Sequence, residues 1–312
     1  MKRNLTFLVS LLLVMVSATG CFGAQPAGAS DISSRKIKAV TTIGQIGDLV
    51  KNVGGDRVEV VPLMGPGVDP HLYKASESDI SKLSSADIIF YNGLNLEGKM
   101  GDLFVRMART KPTIPVTETI PEKSLREPPE MQGHADPHVW FDVTLWRHTV
   151  DRVEQALAQL DPQNAAKYKT NADNYRKQLD ELHNFVTSQI NTIPPDQRVL
   201  VTAHDAFGYF GAQYAVEVVG LQGISTESEA GVKDVQDLAN LIASKKVKAI
   251  FVESSVPHRN IEAVRAAAKS KGQDVIIGGE LYSDALGDPG TPAGTYVGMI
   301  RHNVETIVKA LK

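Results

Sequence analysis

Cysteine is almost absent from this sequence: Cys21 is the one cysteine in 312 residues. No disulfide can form within the chain, and a cysteine-rich zinc or iron–sulfur site is excluded. Long runs of one charge are missing as well. The net charge is −3 and no basic stretch stands out, so the electrostatic footprint of nucleic-acid binding is lacking. Neither H-E-x-x-H nor G-x-S-x-G occurs, which removes two common hydrolase signatures. Gly65-Pro66-Gly67 resembles part of a phosphate-binding loop. It has no third glycine, and Pro66 takes away an amide donor, so a nucleotide site is not expected.

What remains is the composition of a globular protein, with 42% hydrophobic and 22% charged residues. The length fits one large domain or two medium ones.

Residues 1–20 read as a signal peptide. Lys2 and Arg3 give a positive start, Leu5 to Val16 are nearly all apolar, and Ser17, Ala18, Thr19 and Gly20 lead to Cys21. The apolar run is too short to span a membrane stably. The small residues before Cys21 resemble a bacterial lipobox, with Ala18 where leucine is usual. That likeness implies cleavage before Cys21 and lipidation of its thiol. The alternative is an ordinary signal peptide cut nearby. Removing the two leader cations moves the net charge from −3 to −5. Residues 21–35 are rich in Ala, Gly, Ser and Pro and read as a tether.

From Lys38 onward, β-rich runs alternate with helical patterns. Lys38–Ile43, Arg57–Leu63 and Asp87–Tyr91 read as strands, as do Arg198–Thr202, Val216–Leu221, Ala249–Glu253 and Val275–Gly278. Ser76–Ser84 reads as a helix with a Ser76/Asp79 capping pair and Ile80 and Leu83 on one face. Val232–Ser244 and about Thr295 to the end read as further helices. Such alternation predicts an α/β fold with parallel sheets flanked by helices. Residues 161–193 contain no glycine and no strand signal. Pro162 suits a helix start and Pro194-Pro195 a stop. Tyr168, Tyr175, Leu179, Leu182, Phe185 and Ile190 form an apolar stripe. This segment is expected to be one long helix joining an N-terminal lobe (36–160) to a C-terminal lobe (194–312), or else a surface helix within one domain.

Eight histidines are present, and two occupy the same tripeptide, Asp69-Pro70-His71 and Asp136-Pro137-His138. His204 directly follows a buried-looking strand, and Asp284 lies just past another. Ligands of α/β sheets gather beyond the carboxyl ends of strands. His71, His138, His204 and Asp284 are separated by 67, 66 and 80 residues, so they meet only if their loops face one cleft. Imidazole with carboxylate suits zinc and also manganese. A ligand histidine needs its second nitrogen held by an acceptor. Asp69, Asp136 or a backbone carbonyl would serve, and Glu253 at a strand end is a further residue of the lining. Glu280 is an alternative carboxylate to Asp284. Trp140 and Phe141 are expected to pack behind His138. His134, His148, His183, His258 and His302 read as surface or partly packed, with His134 also placed to collect ions transiently.

The segments GVDPHLYKASESDISKLSSADIIFYNGLNLE, DPHVWFDV, VTAHDAFGYF, GISTESEAGVKDV and GGELYSDALG together resemble the solute-binding lipoproteins of zinc and manganese ABC importers. The likeness spans nearly all of residues 38–312. It implies two α/β lobes linked by one backbone helix, with a metal ion as cargo between them. Carried over residue by residue, the ligands are His71, His138, His204 and Asp284. It also implies delivery of Mn(II) or Zn(II) to a membrane permease, a monomer, and an outward-facing, lipid-anchored location. The His- and acid-rich loop common in zinc-devoted members is missing at Glu127–Ala135, which tilts the expectation toward manganese. His204 stands where many manganese members have glutamate, and a nitrogen-rich site favours zinc in the general stability order. The competing classes are a secreted zinc-dependent hydrolase and a surface adhesin.

Overall fold

The structure, a computed structural model, describes residues 32–312. The signal peptide, Cys21 and most of the tether lie outside the described residues. Among the described residues no helix is long and apolar enough to cross a membrane.

The first lobe is built from β1 (Ile37–Thr41), α1 (Gly44–Gly54), β2 (Val58–Pro62), α2 (Glu77–Ser85), β3 (Ile88–Tyr91), α3 (Gly101–Ala108) and β4 (Thr113–Pro115). The strands form one all-parallel sheet in the order β2-β1-β3-β4. Central β1 is apolar on both faces, with Ile37, Ala39 and Val40 fully buried. That is what a parallel sheet covered by helices on both sides requires. In α1 the buried Ile46, Leu49, Val50 and Val53 follow helical spacing, and the helix stops at Gly55, whose φ is +58°. The Ser76/Asp79 pair forms a complete capping box on α2. Leu83 is buried there, but Ile80 is exposed, so the expected apolar face of α2 is narrower.

Two helices that pack on each other follow, α4 (Val143–Leu160) and α5 (Ala165–Ile190). A single 3-10 turn at Pro162–Asn164 precedes α5. Its 26 residues reach about 39 Å. Tyr168, Tyr175, Leu179, Leu182 and Ile190 are buried as the periodicity predicts, while Val186 is buried and Phe185 only half-buried. The second lobe holds β5 (Val199–His204), α6 (Gly208–Tyr214), β6 (Glu217–Gln222), α7 (Val232–Lys245), β7 (Ala249–Glu253), α8 (Arg259–Ser270), β8 (Ile276–Leu281) and α9 (Tyr296–Leu311). β5 pairs with β6 and β7 with β8, both in parallel. β5 lies beside β7, and every residue of these two inner strands is buried.

The fold is therefore α/β, with two lobes of parallel strands flanked by helices and joined by one long helix. One apolar cluster runs from the first sheet through α4 and α5 to α9 and Phe251 of the second lobe. A smaller cluster lies under α7 and α8. His204 is the last residue of β5, and the loops that follow β2 and β8 carry His71 and Asp284.

Candidate metal centre

Both Asp-Pro-His tripeptides fold into the same local turn. Asp69 Oδ1 accepts the amide of His71 at 2.9 Å, and Asp136 Oδ1 accepts that of His138 at 3.0 Å. Proline has no N–H, so the histidine amide is the first donor that such a turn can offer. His138 then leads through a 3-10 turn into α4, which Asp142 caps by accepting from Thr144 N at 2.8 Å. His204 closes β5, and Asp284 follows β8 by three residues.

These four side chains meet. Each offers a donor atom, and the four atoms lie within 4.8 Å of one another. His71 Nε2 is 3.3 Å from His138 Nε2 and 3.8 Å from Asp284 Oδ2. His138 Nε2 is 3.4 Å from Asp284 Oδ1, and His204 Nε2 is 3.3 Å from Asp284 Oδ2. Bonds of about 2.0–2.1 Å to a tetrahedral ion put neighbouring donors about 3.4 Å apart. The spacings of 3.3–3.8 Å among these atoms are close to that edge length.

Two of the three imidazoles are oriented by carboxylates. His138 Nδ1 donates to Asp136 Oδ1 at 2.8 Å. His204 Nδ1 donates to Glu253 Oε2 at 2.6 Å, and the His204 amide donates to Glu253 Oε1 at 2.9 Å. Holding the proton on Nδ1 leaves the Nε2 lone pair aimed at the centre. Asp69 does something different. Its two oxygens accept the His71 amide and the Thr226 hydroxyl, so it fixes the backbone of His71. Arg126 Nη1 donates to Asp136 Oδ2 at 2.9 Å, and Tyr209 donates its hydroxyl to the Asp136 carbonyl at 3.0 Å. The guanidinium lies over Gly208, where a Cβ would come within 1.4 Å of Nη1. Trp140 packs edge-on to His138 at 5.2 Å between centroids and donates Nε1–H to the Ser283 carbonyl.

Burial makes the site electrostatically demanding. His138 and His204 are 0% exposed, Asp284 1% and His71 4%. Neither oxygen of Asp284 nor His204 Nε2 makes a hydrogen bond of good geometry, although imidazole nitrogens stand 3.3–3.8 Å from the carboxylate. A buried polar group left so costs about 1–3 kcal/mol, and a cation at the centre satisfies all three atoms at once. Without a cation, burial pushes His71 down to about 3. Burial also opposes charge on His138, but Asp136 and Asp284 overcome it and hold the ring up at about 9. Burial is outweighed at His204 too, where Glu253 and Asp284 raise its pKa well above the ordinary value. Asp284 is held well below the carboxylate range against its burial, by the imidazoles of His204 and His138. Protons on two imidazoles thus stand in for the positive charge of an ion.

Glu280 takes no part. It is exposed and pairs with His258 at 3.1 Å. His148, His183 and His302 are half-buried away from the cluster, and His183 meets the Tyr214 hydroxyl at 3.2 Å. His134 is exposed but lines a cavity of about 310 Å³ in front of His71, with Glu130 and Glu227. Sequence reasoning missed Arg126, Tyr209 and Thr226. Nothing local marks them, because each reaches the site through space.

Residues 39–310 match the family model described as ZnuA, zinc-uptake complex component A, periplasmic. The chain belongs to this family. It is 48% identical over 306 residues to the manganese-binding lipoprotein MntA of Bacillus subtilis, covering 98% of each chain. It is 47% identical over 313 residues to the zinc-binding protein TroA of Treponema pallidum, covering 99% of each. The solved structure of that periplasmic TroA superposes with a TM-score of 0.87 at 50% identity, covering 88% of this chain and 99% of the other. A manganese-bound periplasmic metal-binding protein from Candidatus Liberibacter asiaticus superposes with a TM-score of 0.77 at 27% identity, covering 89% and 100%. Relatives named for manganese and for zinc stand at the same distance, so the metal has to be argued from the donors.

Proposed function

We propose that this ZnuA-family chain is an extracytoplasmic receptor that captures one Mn(II) or Zn(II) ion and delivers it to an ABC-type importer. His71, His138, His204 and Asp284 are the ligands in this reading. The observation that carries it is the convergence of three Nε2 atoms and one carboxylate in a buried centre, with His204 Nε2 and both Asp284 oxygens making no well-formed hydrogen bond. The relatives' names, one manganese-binding and one zinc-binding, support the cargo class.

Capture displaces protons. The ion replaces the charge that His138 and His204 hold in its absence, so binding and deprotonation are one event. Three imidazoles and a carboxylate with both oxygens facing the centre fill the shell with protein atoms, whereas a catalytic zinc keeps one position open for water. That supports a receptor over a hydrolase. The nitrogen-rich donor set holds zinc more tightly than manganese by the general stability order, so manganese is the physiological cargo only where availability favours it.

In this reading residues 36–160 and 194–312 are the two lobes and 161–193 the link. The protein acts as a monomer beside its permease, held to the membrane by lipid on Cys21. The lipoprotein names of relatives support that anchor. Titration of the purified chain with zinc and with manganese, followed by calorimetry and metal analysis, tests the proposal. One ion per chain is expected, and loss of binding in His71→Ala and Asp284→Ala. Unchanged binding in both variants would overturn the ligand set.

A further inference from the structure

His71 is the donor nearest the exit. It is the most exposed of the four, and it alone among them lines the 310 Å³ cavity with Glu130, His134 and Glu227. An ion that leaves the centre passes this side chain, so whatever holds the His71 loop restrains the ion.

The loop is held from the opposite lobe. The His71 amide donates to Asp69 Oδ1 at 2.9 Å, and Asp69 Oδ2 accepts the Thr226 hydroxyl at 2.6 Å. Thr226 belongs to the segment between β6 and α7. Its side chain is buried at 6% exposure, although Gly223, Glu227, Ser228 and Glu229 around it are exposed. The segment is anchored at its base, where Gln222 Nε2 donates to the Ser228 carbonyl at 3.1 Å. Gln222 is the register partner of His204 on β5. His71 and His204, donors from different lobes, are therefore joined by a route that does not pass through the ion. An ion pair between Lys99 and Glu227 crosses at the same place, but both side chains are well exposed. Screening leaves such a pair little weight, whereas a hydroxyl donating to a half-buried carboxylate is a charge-assisted bond.

We infer that Thr226 is a positioning residue: through Asp69 it latches the His71 loop to the second lobe and sets the rate at which the bound ion leaves. This rests on the receptor reading above. The test uses the full chain loaded with zinc alone, with release followed by stopped-flow capture in a chelator. Thr226→Val keeps the shape and removes the hydroxyl. It is expected to release zinc about tenfold faster or more, the scale of a bond to a charged group. Association stays unchanged, so Kd rises by the same factor. Thr226→Ser restores slow release, and Thr226→Ala, which removes the hydroxyl together with the methyl and adds no bulk, repeats the effect of valine. Lys99→Gln shifts the rate by less than about twofold, as for a screened surface pair. Unchanged release from both the valine and alanine variants, or fast release from the serine variant, would overturn the latch while leaving the receptor reading intact. A wild-type chain that binds neither zinc nor manganese would overturn both.

Discussion

Glu253 grips His204 twice, accepting its backbone amide at 2.9 Å and its ring Nδ1–H at 2.6 Å. Strand β7 thus fixes both the place and the rotation of a donor on strand β5. Replacing Glu253 with Gln retains an acceptor but removes the charge that raises the basicity of the ring. Metal affinity should drop by about 10–100-fold, the usual effect of altering a carboxylate behind a histidine ligand. Competition calorimetry with a chelator of known affinity measures it, and equal affinity for variant and wild type would show that the carboxylate charge is irrelevant.

Loss of a donor is expected to cost binding and not the fold. His71→Ala removes a side chain at the rim of the apolar core, so circular dichroism should be unchanged. Wild type should gain thermal stability with zinc, by about 2.7 kcal/mol at a hundredfold excess over Kd. The variant should show a much smaller gain in the same melting experiment. An equal gain in both proteins would remove His71 from the ligand set.

Acid should weaken binding. The ion needs neutral imidazoles, and His138 is held up at about 9 without metal. Below that pH the free protein carries protons that the ion must displace, each lowering apparent affinity by up to about tenfold per pH unit. Affinity should fall steadily from pH 8 to pH 5. Calorimetry in buffers of different ionisation enthalpy counts the protons released, and a value of zero at pH 7 contradicts histidine ligation.

Asp161 carries a stability prediction remote from the metal. It accepts from Arg57 Nε at 2.7 Å, Tyr168 hydroxyl at 2.8 Å and Asn164 Nδ2 at 2.9 Å. Burial would raise its pKa, but the Arg57 bond and the other donors hold it below the ordinary value. A carboxyl depressed on folding contributes above its unfolded pKa of about 3.9, and the contribution fades as pH drops through the folded value. Asp161→Asn should lower stability by about 1.5–3 kcal/mol at pH 7, and the gap should narrow below pH 4. A gap that is constant between pH 7 and pH 3 in urea unfolding would exclude the charge as its origin.

Much of this was legible in the sequence because its signals are local. The repeated Asp-Pro-His tripeptide marks two identical turns, and His204 and Asp284 sit just past runs of buried β residues. Strand β4 leaves no mark in the sequence, because three residues carry no periodicity. Helical spacing points Ile80 inward, yet α2 buries only a narrow stripe and leaves that side chain 42% exposed. Asp69 and Asp136 look alike as letters. Only three dimensions show that Asp136 holds a ring nitrogen while Asp69 reaches Thr226, 157 positions away. Arg126 reaches Asp136 across a glycine of the other lobe, which no linear pattern announces.

Helix α5 contains neither glycine nor proline, and its buried stripe is welded into a cluster shared by both lobes. Kinks in helices arise at such residues or at inserted groups, so this rod offers no bending point. Large jaw-like swings of the halves would tear apart packed apolar surface along its length. That packing stiffens the link between the lobes, so the ion is expected to come and go past the loop of His71 and not through a bend in α5.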